Sequence, residues 1–261
     1  MKKNKAKEKM LRGEIAIGGE VNLGSILSVE NVASMGFDFV SVDNQHGAWD
    51  ELSTMQAFRS IALYDTTPMA RVRSNDYGAI GRMLDIGALG LIIPMANSAS
   101  EAQAAVEAMR YPPLGKRSIG NFGTSFHGEN YIEEANDRIF LAVQIETAIG
   151  LENAKEIMST VGIDGCWIGP SDLAASMGVP LNSSEHLSAI DQIVEICKQT
   201  NRIPGISDGP PNFSTNEWLA KGCLFVTAGV DLGWMLDGCK SKINKLKNHW
   251  QPNKASNSRL C

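Results

Sequence analysis

Residues 140–173 read FLAVQIETAIGLENAKEIMSTVGIDGCWIGPSDL, and this stretch decides the fold. Phe140–Ile145 is a short apolar run with β-branched residues, which is typical of a buried parallel strand. Apolar residues recur at helical spacing over Ala148–Ser159, and a second apolar run covers Gly165–Ile168. The stretch is therefore predicted to form a strand–helix–strand unit.

Two acidic residues follow the two strands of this unit. Glu146 comes directly after the first strand, and Asp172 comes shortly after the second. Neighbouring parallel strands lie about 4.8 Å apart, so both carboxylates can reach one point above the sheet. Magnesium and manganese prefer oxygen ligands of this kind. The unit predicts a divalent metal site, and the alternative that each acid only caps the helix after it stays open at this point.

The rest of the chain repeats the alternation of strand and helix. The predicted strands are Glu20–Gly24, Phe37–Val42, Pro68–Val72, Leu89–Pro94, Phe140–Ile145, Gly165–Ile168, Arg202–Ile206 and Cys223–Thr227. The predicted helices include Ser28–Met35, Glu51–Leu63, Asp76–Ile86, one that opens at Ser98, Ala148–Ser159, Thr215–Lys221 and Leu232–Lys247. Eight such pairs predict an α/β fold, a closed (β/α)8 TIM barrel. A doubly wound open sheet is the competitor, but no G-x-G-x-x-G follows the first strand.

The chain length and the segments outside the alternation suggest one domain. We expect residues 1–250 to form a single barrel domain with a basic amino-terminal lead-in, and the polar tail 251–261 to be disordered. Tyr111–Arg138 is rich in Gly, Pro, Asn and aromatic residues, so we expect a loop over the binding face.

Composition excludes several classes of partner. The net charge of −5 and the pI near 5.5 argue against nucleic acid or an anionic membrane. No apolar segment is long enough for a signal peptide or a membrane span. The five cysteines are far apart and lack metal-ligand spacing, so we expect buried thiols in a reducing cytoplasm.

Ionisable residues also end other predicted strands. Asp43 ends the second strand and Arg71 ends the third, so with Glu146 and Asp172 they place four such residues on one rim. His46 follows Asp43 by three residues, which suits an oriented general base. A structural salt bridge is the alternative role for Arg71.

These charges indicate chemistry on an α-keto acid. A divalent ion on two carboxylates has open positions for such a ligand and would polarise its carbonyl. Arg71 can then pair with the oxygen on which enolate charge develops, and His46 can move protons. Schiff-base chemistry needs a lysine at a strand end, whereas Lys116 lies in a loop and Lys221 at a helix end.

Seven motifs carry a resemblance to a known family. They are FDFVSVDNQHG (37–47), ARV (70–72), RMLDIGALG (82–90), IPM (93–95), RYPPLGKRS (110–118), VQIET (143–147) and IGPSDL (168–173). With these motifs the chain resembles the HpcH/HpaI family of metal-dependent class II pyruvate aldolases, which includes 4-hydroxy-2-oxoheptanedioate and 2-dehydro-3-deoxyglucarate aldolases. The resemblance extends from about Gly24 to Asp231.

The resemblance implies a function and roles for individual residues. It implies a phosphoenolpyruvate/pyruvate-type barrel that reversibly cleaves a 4-hydroxy-2-oxo acid to pyruvate and an aldehyde, with Mg²⁺, Mn²⁺ or Co²⁺. Glu146 and Asp172 would be metal ligands, and Arg71 and Gln144 would bind the pyruvyl unit. The backbone near Ser171 would hold the pyruvate carboxylate, and His46 paired with Asp43 would transfer protons. The eighth barrel helix would pack on a neighbouring subunit in a dimer-based homo-oligomer, of which a hexamer is one form.

The chain also departs from the family pattern. Gln45 precedes the histidine where glutamate is common, Ile26 and Leu27 occupy positions where proline is usual, and the run DGPP at 208–211 is unlike the family's. These departures leave the aldehyde undetermined. Two alternatives remain: an acyl-CoA lyase of the citrate lyase β-subunit type, for which no basic cluster supplies a nucleotide surface, and a barrel that binds a keto acid without catalysis.

Overall fold

The computed structural model describes residues 1–120, 124–207 and 215–249, and within them eight parallel strands close into a barrel. The strands are β1 (Ala16–Val21), β2 (Phe39–Asp43), β3 (Thr67–Arg71), β4 (Gly90–Ile93), β5 (Phe140–Ile145), β6 (Gly165–Ile168), β7 (Ile203–Ile206) and β8 (Phe225–Val230). Each strand pairs with its neighbours in sequence, and β8 closes the barrel on β1. The predicted (β/α)8 barrel is confirmed.

Helices alternate with these strands. They are α1 (Lys5–Leu11), α2 (Ile26–Ala33), α3 (Glu51–Ile61), α4 (Tyr77–Asp85), α5 (Ala99–Met109), α6 (Tyr131–Arg138), α7 (Ala148–Glu152), α8 (Ala154–Met158), α9 (Pro170–Met177), α10 (Ser184–Gln199), α11 (Thr215–Ala220) and α12 (Asp231–His249), with a 3₁₀ turn at Thr124–His127. No helix of the described residues is long and apolar enough to cross a membrane.

Large side chains fill the inside of the barrel. Phe39, Phe140 and Trp167 surround Phe225, with ring centroids 4.8, 5.0 and 4.7 Å from its own. Met69 packs against the same group. The other face of the strands packs against the helices in a second apolar cluster. Both faces of most strands are therefore buried, which explains why β5 and β6 read as continuous apolar runs.

The first strand begins at Ala16 rather than at Glu20 as predicted. Two glycines, Gly18 and Gly19, interrupt its apolar pattern, and glycine weakens any sequence signal for a strand. The structure requires glycine at position 18, because a Cβ atom there would lie 2.2 Å from the Phe39 ring. The corrected boundary puts Glu20 near the carboxyl end of β1.

The basic amino-terminal lead-in contains a helix, α1, at the amino-terminal end of the barrel. Ala6 and Met10 of α1 pack against the interior cluster that contains Phe39 and Phe225. Asn4 caps the helix, since its side chain accepts a hydrogen bond from the Lys7 backbone N–H. This end of the barrel is therefore closed by α1.

The prediction of a loop over the binding face at Tyr111–Arg138 is wrong. The described part of the segment contains a 3₁₀ turn and α6, and it lies at the amino-terminal end of the barrel. His127 Nε2 is 2.9 Å from the Gly87 carbonyl oxygen, which precedes β4. Arg110, which ends α5 just before the segment, donates to the carbonyl of Ile139, which precedes β5, at 2.9 Å. The polar groups of this region thus satisfy backbone carbonyls at the end opposite the strand-end acids.

Two smaller predictions also need correction. The helix predicted over Ala148–Ser159 is divided at Asn153, whose side chain donates to the Asn97 carbonyl at 2.8 Å instead of facing solvent. Cys239 is exposed, whereas Cys166, Cys197 and Cys223 are buried free thiols as expected. Residues 208–211 and the tail 251–261 lie outside the described part of the chain.

Candidate active site

The strand-end residues meet at the carboxyl end of the barrel. Asp43 is the last residue of β2 and Arg71 the last of β3, and the two are register partners. Glu146 follows β5 directly, and Asp172 lies in the first turn of α9 after β6. A cavity of about 260 Å³ opens there, and its lining includes His46, Arg71, Gln144, Ser171 and Asp172.

Arg71 is held by two carboxylates. Its Nε donates to Asp43 Oδ1 at 2.9 Å and its Nη2 to Asp43 Oδ2 at 2.6 Å, a bidentate pair with a fully buried aspartate. Nη2 also lies 3.4 Å from Glu20 Oε1. No described residue forms a hydrogen bond with Nη1. The guanidinium is thus fixed in orientation while one of its nitrogens stays available to a ligand.

Glu20 is a site residue that the sequence did not reveal. It lines the same cavity, and its side chain is only 14% exposed. Burial raises its pKa to about 7, with Arg71 acting against the shift and the negative charges of Asp43 and Asp231 adding to it. The misplaced start of the first strand hid this residue, because with the correct boundary it is another charged group near a strand end.

Glu146 is almost completely buried and is oriented by two donors. Its Oε1 accepts a hydrogen bond from the Met95 backbone N–H at 2.9 Å, and its Oε2 accepts one from the side-chain amide of Gln144. Burial raises the pKa of Glu146, and the nearby charge of Asp172 raises it further. A bound cation would offset both effects.

The surroundings of Glu146 fit a divalent cation. Gln144 Oε1 is buried and has no hydrogen-bond partner among the described residues. A Cβ atom at Gly169 would lie 2.9 Å from Glu146 Oε2 and 2.9 Å from the Gln144 amide nitrogen, so glycine leaves space beside both groups. Within the described ranges no three acidic, histidine or cysteine residues converge as a ready-made metal cluster. Two carboxylates with an amide oxygen nearby suit a hard cation that takes its remaining ligands from water and substrate.

His46 lies at the mouth of the cavity, apart from the buried pair. Its side chain is exposed, and its backbone N–H, not its imidazole, donates a hydrogen bond to Asp43 Oδ1 at 3.3 Å. The Asp43 carboxylate is occupied by Arg71, and Gln45 also donates to it through its backbone N–H at 3.0 Å. The imidazole is therefore positioned by the backbone of this turn, and Asp43 orients Arg71 more directly than it orients the histidine ring.

Ser171 and Asp172 lie at the start of α9. Gly169 is the N-cap residue and provides no side-chain hydrogen bond to the first turn. The first backbone N–H groups of a helix have no partner within it and favour anions. Both residues are exposed on the cavity lining, so this end of the cavity can receive a carboxylate. No lysine belongs to the described lining, in keeping with the exclusion of Schiff-base chemistry.

Comparisons with known proteins agree with this fold. The pattern of the family described as HpcH/HpaI aldolase/citrate lyase matches residues 21–237. The chain is 36% identical over 249 residues to a 4-hydroxy-2-oxo-heptane-1,7-dioate aldolase of Klebsiella pneumoniae, covering 91% of this chain and 92% of that protein. It is also 36% identical over 233 residues to a 4-hydroxy-2-oxovalerate aldolase of Rhodococcus jostii, covering 87% and 90%. The crystal structure of an HpcH/HpaI aldolase/citrate lyase family protein from Burkholderia cenocepacia superposes with a TM-score of 0.87 at 26% identity, covering 94% of this chain and 99% of that one.

Proposed function

The chain belongs to the HpcH/HpaI aldolase/citrate lyase family, and we propose that it is a metal-dependent lyase that reversibly cleaves a 4-hydroxy-2-oxo acid to pyruvate and an aldehyde. The observation that carries the assignment of its site is the cavity at the strand ends. Asp172, Gln144 and the fixed guanidinium of Arg71 line a volume suited to a small keto acid, and the Gln144 amide donates to the buried carboxylate of Glu146.

Glu146 and Asp172 are the proposed ligands of a divalent cation. When bound, Mg²⁺, Mn²⁺ or Co²⁺ would act as a Lewis acid on the keto group of the substrate. Gln144 supports this role in two ways, because it donates to Glu146 and its buried Oε1 lacks a partner among the described residues. The N–H groups at the start of α9, near Ser171, would hold the carboxylate of the pyruvyl unit.

Arg71 is proposed to stabilise the charge that develops on the C2 oxygen as the C3–C4 bond breaks. Its Nη1 is free among the described residues, and the Asp43 fork prevents the guanidinium from rotating. Donors that are already oriented towards a developing charge need no rearrangement during the reaction. His46, on the same cavity, would take the proton of the C4 hydroxyl as the aldehyde forms, with Asp43 positioning its backbone.

The experiment that tests this function measures metal binding and turnover separately. Chelation should abolish pyruvate release from 4-hydroxy-2-oxo acids, and added Mg²⁺, Mn²⁺ or Co²⁺ should restore it. Binding of Mn²⁺ alone, measured by titration calorimetry, should weaken at least about tenfold in Glu146→Gln and Asp172→Asn, since each removes a charged ligand. The control is Glu156→Gln, an exposed glutamate on α8. Full activity after exhaustive chelation would contradict the proposal.

The protein is also proposed to work as a homo-oligomer. Helix α12 exposes a run of apolar side chains along its length. They are Leu232, Met235, Leu236, Ile243 and Leu246, each at least 40% exposed. A contiguous exposed apolar face of this kind supports contact with a second copy of the chain.

A further inference from the structure

The cavity has two walls of different character. Gln144 of β5 and Asp172 after β6 belong to the wall where the pyruvyl unit is proposed to bind. In the closed strand order β1 lies across the barrel from β5, and this opposite wall carries Glu20 with Thr227 and Val230 of β8. A substrate anchored at the first wall extends beyond C4 towards the second. The second wall therefore faces the part that leaves as the aldehyde.

Within the described part of the chain, no unpaired lysine or arginine lines the cavity at the aldehyde end. Among the described lining residues Arg71 is the only lysine or arginine, and it already pairs with Asp43 and Glu20. On the described part of this wall, a second carboxylate of the substrate would lack a free positive partner and would approach the Glu20 carboxyl group instead.

The negative charge on this wall depends on pH. Glu20 is surrounded by Arg71, Asp43 and Asp231, and its pKa of about 7 means that it is mostly ionised at pH 8.5 and mostly protonated at pH 6. His46 also lines the cavity. When protonated, the Glu20 carboxyl can donate a hydrogen bond, and when ionised it can accept one. In both states it suits a hydroxyl group.

We propose that Glu20 selects the aldehyde, favouring uncharged, hydroxyl-bearing aldehydes and disfavouring those that carry a carboxylate. This inference rests on the proposed aldolase function and names the substrate class of the same site. Thr227, on the neighbouring strand β8, lines the same cavity and adds a hydroxyl group to this wall. It follows that a dioate, the substrate for which the Klebsiella relative is named, is a poor substrate of this chain.

A matched pair of substrates tests the proposal. One is 4-hydroxy-2-oxoheptane-1,7-dioate, and the other is its C7 amide, which has nearly the same shape without the second charge. The readout is the ratio of kcat/KM for the dioate to kcat/KM for the amide, in which effects on the shared pyruvyl end cancel.

The wild type should prefer the amide at pH 8.5. Glu20→Gln should raise the ratio about tenfold or more, as expected when repulsion between two partly screened unit charges is removed.

Controls separate this effect from others. Glu51→Gln changes an exposed acid on α3 that does not line the cavity, and it should leave the ratio unchanged. In the wild type the ratio should fall as pH rises from 6 to 8.5, because the C7 carboxylate stays ionised while Glu20 gains charge. The same pH series in Glu20→Gln is the control, because any fall that persists in that variant does not come from Glu20.

Each outcome decides between failure of the inference and failure of the function. An unchanged ratio in folded Glu20→Gln, with both substrates still cleaved, would overturn the role of Glu20 and leave the aldolase function intact. If Glu20→Gln does not fold, a wild-type ratio that stays flat between pH 6 and 8.5 overturns it. If the wild type releases pyruvate from neither substrate and does not exchange the methyl protons of pyruvate in D₂O, the proposed function itself fails.

Discussion

Arg71 is already held by two carboxylates before any substrate binds. Its fork with Asp43 is buried and bidentate, so the aspartate pays no further desolvation when a ligand enters. Glu20 approaches the same nitrogen that binds Asp43, which leaves Nη1 for the substrate. At the scale of single residues, the site depends on Arg71, whose nitrogens bind Asp43 and Glu20 and leave Nη1 for the substrate.

Replacing Arg71 with lysine tests whether the side chain must bind Asp43 and the substrate at the same time. Lysine keeps the charge but cannot form the fork with Asp43 while also donating to the substrate. We therefore expect kcat for Arg71→Lys to fall on the order of 10²–10³-fold, as when an oriented donor to a developing charge is lost. The measurement is steady-state pyruvate release.

Arg73→Lys is the matched control for this substitution. Arg73 lies on the same rim and donates to the Trp49 carbonyl at 2.9 Å, but it does not line the cavity. Its substitution should leave kcat within about twofold of the wild-type value, because no contact with the transition state is lost. A kcat for Arg71→Lys that stays equally close to wild type would remove the arginine from the reaction.

At the scale of elements, the sequence predicts those strands and helices that a local residue pattern determines. It does not predict those that depend on contacts distant in sequence. Strands β5 and β6 match their predicted bounds, because buried parallel strands without an internal glycine read as largely apolar runs. The α1 helix was missed because its sequence, KAKEKML, is dominated by charge. Asn4 Nδ2 donates to the carbonyls of Leu89 and Arg138 at 2.7 and 3.0 Å, across 85 and 134 residues of sequence. No local residue pattern predicts contacts between residues so far apart in sequence.

In the candidate site, too, local features could be predicted from the sequence and long-range contacts could not. The rim position of Asp43, Arg71, Glu146 and Asp172 could be predicted, because parallel barrel strands place their carboxyl ends on one face. The approach of Glu20 to Arg71 could not, since it depends on where β1 begins and on the closure of the barrel. Their functional roles stay predictions until the variants are measured.

Helix α1 offers a prediction about stability that is separate from catalysis. Asn4→Ala removes the helix cap and two buried donors to backbone carbonyls, so it should lower the free energy of unfolding by roughly 1–3 kcal/mol. The kcat/KM of the folded variant should not change, because α1 lies at the end of the barrel opposite the cavity. Denaturant titration followed by circular dichroism gives the stability.

Asn130→Ala provides the comparison. Asn130 is the N-cap residue of α6, but its exposed side chain makes no capping hydrogen bond. Its replacement should therefore change the unfolding free energy by less than about 0.5 kcal/mol. Equal losses in the two variants would show that the long-range contacts of Asn4 do not hold α1 on the barrel.

At the scale of the whole molecule, the apolar residues of α12 form one stripe. Leu232, Leu236 and Ile243 recur at spacings of four and seven residues, which places them on the same side of the helix. Trp234, at the start of the helix, stacks on Phe37 with ring centroids 5.7 Å apart, so part of α12 packs on its own barrel. The stripe itself stays exposed, and burying it against a second copy would remove it from water.

The double substitution of Leu236 and Ile243 by glutamine should dissociate the proposed oligomer. Each change removes apolar area from both sides of a symmetric contact, so the dissociation constant should rise about 100-fold or more. Lys245→Gln introduces the same side chain on the opposite side of the helix and should leave assembly unchanged. Sedimentation velocity over a range of protein concentrations distinguishes these cases. A wild type that sediments as a monomer at micromolar concentration, or a double variant that assembles as tightly as the wild type, would show that the α12 stripe serves another purpose.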